Sequence, residues 1–493
     1  MLTTHTERAS LSDALTRFRI RHQRAAVQLT AAVLLGILLA SGTLLINRAP
    51  PLVILAYYGI LLGGILSLLL GDIRRWLLGI TIVDASVLLD VNIGFRPETA
   101  ELGSISGYVL SLTTIVLPVL YGIWAMELLL KKTPSRRPAF RALAPLALYF
   151  AGIGLSLTYA SNPTLVYYEL FMLVQCLLLF IYLAGSLRTR DDILFLLPFI
   201  AVALIAQCAV ITIQRLGYVN PAIDFFRMNF SARPIGLLGS ANVVGAFLGT
   251  ALIPLLSVLF IGSVRVRWKL LLLPLIAWSA LCLVWTQSRG AWIGFVIAFG
   301  ILILLGWWRR WISSRVFFAI LVGGLLILGA GSSVIVERLT TEDGGAAASR
   351  GPLNEIALQM FSYRPLTGVG ANNFAVEIPN YIPPRLGSEW LYIVHNKYLL
   401  VLSETGIIGF LGWMGFLVIT VWRGIQVWGM RERTLSLLGL GILAALIGHF
   451  SHMLGEIFNM RTMVQLLWTY AAVLYAMLQI LRAEPQGASA PPA

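Results

Sequence analysis

Residues 289–310 read RGAWIGFVIAFGILILLGWWRR, an apolar run with one arginine at its start and two at its end. An α-helix needs about 20 residues to cross the hydrocarbon core of a bilayer, and this run has that length. The stretch therefore predicts a transmembrane helix that begins near Arg289 at one membrane surface and ends near Arg309 and Arg310 at the other.

The same pattern recurs along the whole chain. Of its 493 residues, 58% are hydrophobic and 12% are charged, whereas a soluble domain carries about a quarter charged residues. About 14 apolar segments of roughly spanning length are present: 25–46, 52–70, 76–94, 105–130, 140–160, 165–187, 192–214, 239–262, 268–286, 290–308, 314–336, 397–422, 434–457 and 462–481. The sequence therefore predicts an all-α polytopic membrane protein.

The basic residues predict the orientation of these segments. If the N-terminus is cytoplasmic, alternate loops on the cytoplasmic side receive the basic clusters at 17–24, 74–75, 131–137, 188–190, 265–269, 309–315 and 423–433, together with Arg482. Cytoplasmic loops are enriched in Lys and Arg, so both termini are expected on that side. The formal net charge of +14 is thus explained by topology, and we expect no nucleic-acid partner.

This topology divides the chain into five parts. They are a basic cytoplasmic tail at 1–24, a transmembrane region at 25–336, a large outer loop at 337–396, C-terminal transmembrane helices at 397–481 and a disordered cytoplasmic tail at 482–493. The large loop is rich in Gly, Pro, Asn and charge, and has patches suited to short helices. Binding and catalytic residues concentrate on loops held by a rigid scaffold, so the loop is where we expect chemistry.

Several arginines lie on the outer side, which the orientation rule depletes of cations. Arg289 lies between small neighbours, Arg350 precedes Pro352 at a predicted helix start, and Arg364 precedes a Gly-rich turn. A guanidinium fork matches phosphate oxygens, and a helix N-terminus favours an anion. These residues predict a phosphate-bearing ligand, with snorkelling to the interface or solvation in a loop as the alternative for each.

Residues 391–406, LYIVHNKYLLVLSETG, place ionisable groups where the loop re-enters the membrane. His395 suits a helix cap, an interface contact or a catalyst. Glu404 lies about 13 Å further along a helix than His395, and about 10 Å further than Lys397, so contact within the helix is not expected. An ionisable group inside a membrane segment is a functional candidate, with a buried structural pair as the alternative.

Six more polar residues have no role that the sequence assigns: Asp84, Asp90, Glu169, His449, His452 and Glu456. The last three share one helical face. They suit a metal ion in principle, but a polar lining of the outer cavity is the favoured interpretation, and no metal site is expected.

The order of the motifs carries a family resemblance. An outer SRG turn at 288–290 is followed by RPLTGVG at 364–370 and by HNKYLLVLSETGIIG at 395–409. Over residues 236–470 the chain resembles the O-antigen ligase/polymerase family, which includes O-antigen ligases, polysaccharide polymerases and protein O-oligosaccharyltransferases. The resemblance implies a GT-C-like membrane fold with 12–14 helices and an active site between the membrane domain and a large periplasmic loop.

The resemblance also implies an activity in the bacterial inner membrane. The donor would be a glycan on undecaprenyl diphosphate, the acceptor a second glycan, a lipid A core sugar or a protein hydroxyl, and neither a metal nor a nucleotide cofactor is expected. Catalytic residues would be Arg289, Arg350 and His395; residues binding substrate or holding the site would be Arg364, Asn396, Lys397 and Glu404. A transporter or flippase of an anionic lipid-linked substrate is the alternative, weakened because no internal repeat is visible.

Overall fold

A computed structural model of the chain describes residues 73–129, 143–217, 233–330, 350–382 and 392–483. Two compact units are present, Met1–Leu77 and Leu78–Ala493. The site described below lies within the second unit. The predicted spans 25–46 and 52–70 and the predicted tail at 1–24 lie outside the described residues.

The described residues form fifteen helices and two short strands. In chain order they are α1 (Ile73–Asp84), β1 (Val91–Ile93), α2 (Pro97–Ala100), β2 (Tyr108–Leu110), α3 (Leu112–Leu129), α4 (Ala144–Ser156), α5 (Pro163–Ser186), α6 (Arg190–Arg215), α7 (Ala241–Val258), α8 (Val266–Trp285), α9 (Arg289–Trp308), α10 (Ser314–Ala330), α11 (Arg350–Tyr363), α12 (Phe374–Tyr381), α13 (Lys397–Gly429), α14 (Arg433–His452) and α15 (Arg461–Ala483). Within these ranges nine helices are long and apolar enough to cross a membrane, namely α3, α5 to α9 and α13 to α15. The predicted all-α polytopic fold is confirmed.

The predicted span at 76–94 is wrong in its second half. Helix α1 ends at Asp84, and the chain then forms an antiparallel two-stranded ribbon in which Asn92 pairs with Val109. For the same reason the predicted span 105–130 begins as a strand and becomes helical at Leu112. The predicted spans 140–160 and 314–336 correspond to α4, with 13 residues, and to α10, which is described over 17 residues.

An arginine at the start of α15 explains why α1 stops. The Arg461 guanidinium bonds Asp84 Oδ2 at 2.9 Å and Asp90 Oδ1 at 2.7 Å, and it also donates to the carbonyl of Val87 at 3.1 Å. Arg461 is 4% exposed, so its charge needs partners to offset desolvation. The two acids without an assigned role therefore hold residues 84–90 against α15.

Small residues set the closest helix crossings. A Cβ at Gly152 of α4 would overlap the backbone of Gly409 in α13, and a Cβ at Gly294 of α9 would lie 2.7 Å from the carbonyl oxygen of Gly448 in α14. Glycine lets helix backbones approach closely in membrane proteins. The second crossing places the start of α9 beside the end of α14, where the candidate site lies.

Helix α13 is broken at Gly406, where φ is 63°. A segment of the outer loop docks at the break, and three backbone hydrogen bonds join them: Ile407 N to Pro365 O at 2.8 Å, Val369 N to Ser403 O at 3.0 Å and Gly370 N to Glu404 O at 3.0 Å. A Cβ at Gly368 would overlap Glu404, which explains the Gly-rich turn. Broken backbone in a membrane helix is tolerated where protein satisfies its polar groups.

Candidate active site at the C-terminal end of α14

The start of α9 lies against the end of α14. Ser288 caps α9 by accepting from Ala291 N at 3.4 Å, and Arg289 is the first helical residue. A Cβ at the next residue, Gly290, would overlap the His452 imidazole. Gly290 is one of the small residues noted beside Arg289 in the sequence, and a residue without a Cβ is needed there so that α9 can approach His452.

The starts of α11 and α13 meet the same end of α14. Arg350, the first residue of α11, lies within electrostatic reach of His452. Lys397, the first residue of α13, donates its backbone N–H to Met453 O at 2.9 Å. Since His395 lies two residues before Lys397, the structure brings the three predicted catalytic residues to one end of the helix bundle.

Two of these side chains have buried polar atoms without a hydrogen-bond partner among the described residues. They are Nε of Arg350 and Nδ1 of His395. Buried polar side-chain atoms are usually hydrogen-bonded in folded proteins. Both side chains are therefore candidates for contact with a ligand, while Arg289, half-buried, already has an interaction within the protein.

Tyr392 shapes the environment of His395 and was missed by sequence reasoning. The two rings are stacked, with centroids 5.3 Å apart and an angle of 27° between their planes. Partial burial raises the pKa of Tyr392, and the charge of Glu456 raises it further, so its hydroxyl stays protonated at neutral pH. The stack therefore presents His395 with a neutral aromatic face.

Asn396 and Lys397 hold the helix start that follows His395. Asn396 Oδ1 caps α13 by accepting from Tyr398 N at 3.0 Å and Leu399 N at 3.2 Å. Lys397 Nζ donates to Asn459 Oδ1, and its charge lies near those of Glu169 and Glu404. These contacts fix the position of His395, and substrate contact by Asn396 and Lys397 stays a prediction.

Glu404 joins the outer loop to α13. Glu404 is 3% exposed, and its carboxyl group accepts from Phe374 N at 3.1 Å. Phe374 begins α12, and a helix N-terminus favours an acidic partner. The structure thus gives Glu404 a loop-anchoring contact, and its predicted contact with substrate stays a prediction.

The loop is also tied to the first half of the chain. Asn372 has φ of 58°, a conformation that asparagine adopts more readily than most residues. Its side chain donates to the carbonyls of Ile105 at 2.7 Å and Leu165 at 3.0 Å, and it accepts from Ile105 N at 2.8 Å. These bonds join the loop to the turn before β2 and to α5.

Arg364 lies apart from the other candidates. Its guanidinium sits over the ring of Tyr159, 4.0 Å from the centroid, and the side chain is exposed. It follows the last residue of α11, a helix of 14 residues that spans about 20 Å from Arg350. The structure does not bring Arg364 to the end of α14, and its contact with phosphate stays a prediction.

A second cation near Arg289 was also missed. Arg233, in the long outer segment before α7, donates from Nε to Thr286 O at 3.0 Å and from Nη2 to Asn242 Oδ1 at 2.8 Å. Asn242 Nδ2 donates in turn to Glu456 Oε2 at 2.7 Å. Sequence reasoning could have selected Arg233 as an arginine in a segment predicted to lie on the outer side. Its contact with Thr286 could not be predicted, because the two residues are far apart in the chain.

Of the three polar residues predicted to share one helical face, His449 and His452 lie on α14, whereas Glu456 follows the end of that helix. No group of three or more His, Cys, Asp or Glu side chains is placed to hold a metal ion in the part of the chain that the structure describes. Glu456 is bonded to Asn242, and the rings of His449 and His452 lie 4.7 and 4.9 Å from that of Phe458. The interpretation of these residues as a polar lining of the outer cavity stays a prediction.

Comparison with known families identifies the segment that carries the site. Residues 274–414 match the family described as O-Antigen ligase. No curated protein matches this chain. The matched segment contains Arg289, Arg350 and His395, so over these residues the similarity to an O-antigen ligase domain that the motifs predicted is confirmed. Such a domain supports a membrane glycosyltransferase-like function.

Proposed function

We propose that this protein transfers a glycan from undecaprenyl diphosphate to an acceptor hydroxyl at the periplasmic face of the bacterial inner membrane. The observation that carries the proposal is the convergence of Arg289, Arg350 and His395 at the end of α14. All three residues belong to the segment that matches the O-antigen ligase family. Two cations and a base are the groups that glycosyl transfer from a diphosphate requires.

The arginines stabilise the leaving group. When the bond between the anomeric carbon and the diphosphate oxygen breaks, negative charge develops on the diphosphate. Arg289 and Arg350 each begin a helix, so backbone N–H groups add to their guanidinium donors. Fixed positive groups aimed at developing charge act without reorganisation, and the reaction then proceeds without a metal ion.

His395 removes the proton of the acceptor. The acceptor oxygen forms a bond with the anomeric carbon while the diphosphate leaves, and the proton passes to the imidazole. Histidine suits this role because its ordinary charge change falls near neutral pH. A single displacement of this kind inverts the anomeric configuration.

The acceptor decides between two forms of the reaction. A second glycan on the lipid carrier makes the enzyme an O-antigen or polysaccharide polymerase, whereas a lipid A core sugar or a protein hydroxyl makes it a ligase. The site between the membrane helices and the outer loop is the arrangement that the GT-C-like interpretation requires. Lengthened lipid-linked chains or capped lipid A core would distinguish these products.

The test is glycan transfer in liposomes from an undecaprenyl-diphosphate oligosaccharide, with and without a chelator. His395→Gln is expected to abolish transfer, and Arg289→Lys and Arg350→Lys to lower kcat/KM at least about tenfold, because lysine lacks the guanidinium fork. Arg433→Lys is the control, since Arg433 bonds Trp311 O at the far end of α14. Full activity of His395→Gln would remove the base assignment.

The transporter alternative uses the same arginines to bind an intact substrate. It predicts that labelled donor crosses the vesicle membrane while its diphosphate bond stays intact. Release of undecaprenyl diphosphate together with an enlarged glycan product contradicts it. Transport of uncleaved donor in the presence of every acceptor class would contradict glycosyl transfer.

A further inference from the structure

We propose that Tyr392 is a positioning residue for His395, whose aromatic face orients the imidazole and stabilises the imidazolium formed during transfer. This inference rests on the function proposed above, because it takes His395 as the base. It adds a residue outside the motif that carried the family resemblance.

The stack is the contact that orients the imidazole. The ring centroids lie 5.3 Å apart with an interplanar angle of 27°, and Nδ1 of His395 is buried without a hydrogen-bond partner among residues 73–129, 143–217, 233–330, 350–382 and 392–483. A catalytic histidine is commonly oriented by a hydrogen bond to its second nitrogen. Here the described contact with its ring is made by the face of Tyr392.

Tyr392 also packs against a turn from the first half of the chain. Gly103 has φ of 91°, and a Cβ there would lie 2.9 Å from Tyr392 Cζ and 3.2 Å from Ile393 Cγ1. The turn is closed by Ser104 N donating to Thr99 O at 3.1 Å. Because the turn packs closely on the phenol ring, it restricts movement of that ring toward Gly103.

The aromatic face acts more strongly on the protonated imidazole than on the neutral one. A cation within about 6 Å of an aromatic centroid is attracted by the ring quadrupole, and the 5.3 Å separation meets that condition. Proton transfer to His395 creates such a cation, so the stabilisation arises as the reaction proceeds. An interaction that appears in the transition state raises kcat rather than substrate affinity.

The test compares four side chains at position 392 in the liposome transfer assay. Tyr392→Phe and Tyr392→Trp keep the aromatic face and are expected to retain kcat within about twofold, whereas Tyr392→Leu is expected to lower kcat about 2- to 30-fold with little change in KM for the donor. Tyr121→Leu is the matched control. Tyr121 lies on α3 in an aromatic pair with Tyr182, 5.5 Å between centroids, and its loss should leave kcat unchanged.

Each outcome decides the inference. A wild-type kcat in the Leu variant would overturn it, since leucine fills space without an aromatic face. An equal loss in Phe and Leu would also overturn it, because the hydroxyl would then be the essential group. Tyr392→Met replaces the Leu variant if that variant has a lowered melting temperature. If instead His395→Gln retains transfer, the proposed base fails, whatever the variants at 392 show.

Discussion

Replacing Glu404 with methionine should release the outer loop from the broken helix. Methionine has a similar length but accepts no hydrogen bond of comparable strength, so the N–H group of Phe374 loses its partner in a site where Glu404 is 3% exposed. A buried donor left without a partner costs about 1–3 kcal/mol, which is roughly a 5- to 150-fold increase in the local opening constant.

Hydrogen exchange measured by mass spectrometry on peptides spanning 366–381 would report this opening, since amides in a local unit exchange through its own opening reaction. Glu404→Gln keeps one acceptor oxygen and should give an intermediate rate. Glu377→Gln is the control on α12, because that carboxylate accepts from the Asn380 side chain at 3.0 Å and should change exchange by less than about threefold. Wild-type exchange in the Glu404→Met peptides would refute the role of Glu404 as the loop anchor.

Two further substitutions test the supporting structure, with melting in detergent as the measurement. Gly406→Ala should lower the melting temperature and transfer, because φ is 63° and a Cβ would overlap the docked loop backbone; Gly429→Ala, at an open position on the same helix, should change neither. Arg461→Met should destabilise the protein by about 3–5 kcal/mol, since it leaves Asp84 and Asp90 buried without their cation. Converting both acids to asparagine should restore part of this loss, and an unchanged melting temperature in Arg461→Met would contradict the assigned ion pairs.

The long helices could be predicted because their signal is local. The predicted spans 165–187, 268–286 and 290–308 agree with α5, α8 and α9 to within a few residues, since an apolar run of bilayer length has few other stable states. The end of the helix within 76–94 could not be predicted, because it depends on a contact with Arg461, a residue far away in the sequence. A long-range ion pair overrode an apolar pattern there.

The candidate site shows the same division between local and long-range information. Arg289, Arg350 and His395 could be selected because cations on the outer side and a histidine at a helix start are local anomalies. Tyr392 and Arg233 could not, since an aromatic or basic residue in an outer segment has no distinguishing neighbour in the sequence. Their importance comes from contacts with His395 and with Thr286, which exist only in the folded chain.

The matched segment at 274–414 therefore supplies the reacting groups but not the surface that assembles them. Gly290 beside Arg289 packs on His452, Arg350 lies within electrostatic reach of the same imidazole, and Lys397 bonds Met453 O. His452 and Met453 both follow the matched segment in the chain. Glu456, which follows the end of α14, accepts a hydrogen bond from Asn242, a residue that precedes the matched segment in the chain. Because three helix starts inside the matched segment meet one helix end that lies outside it, a change in how α14 packs would move both arginines and the histidine together.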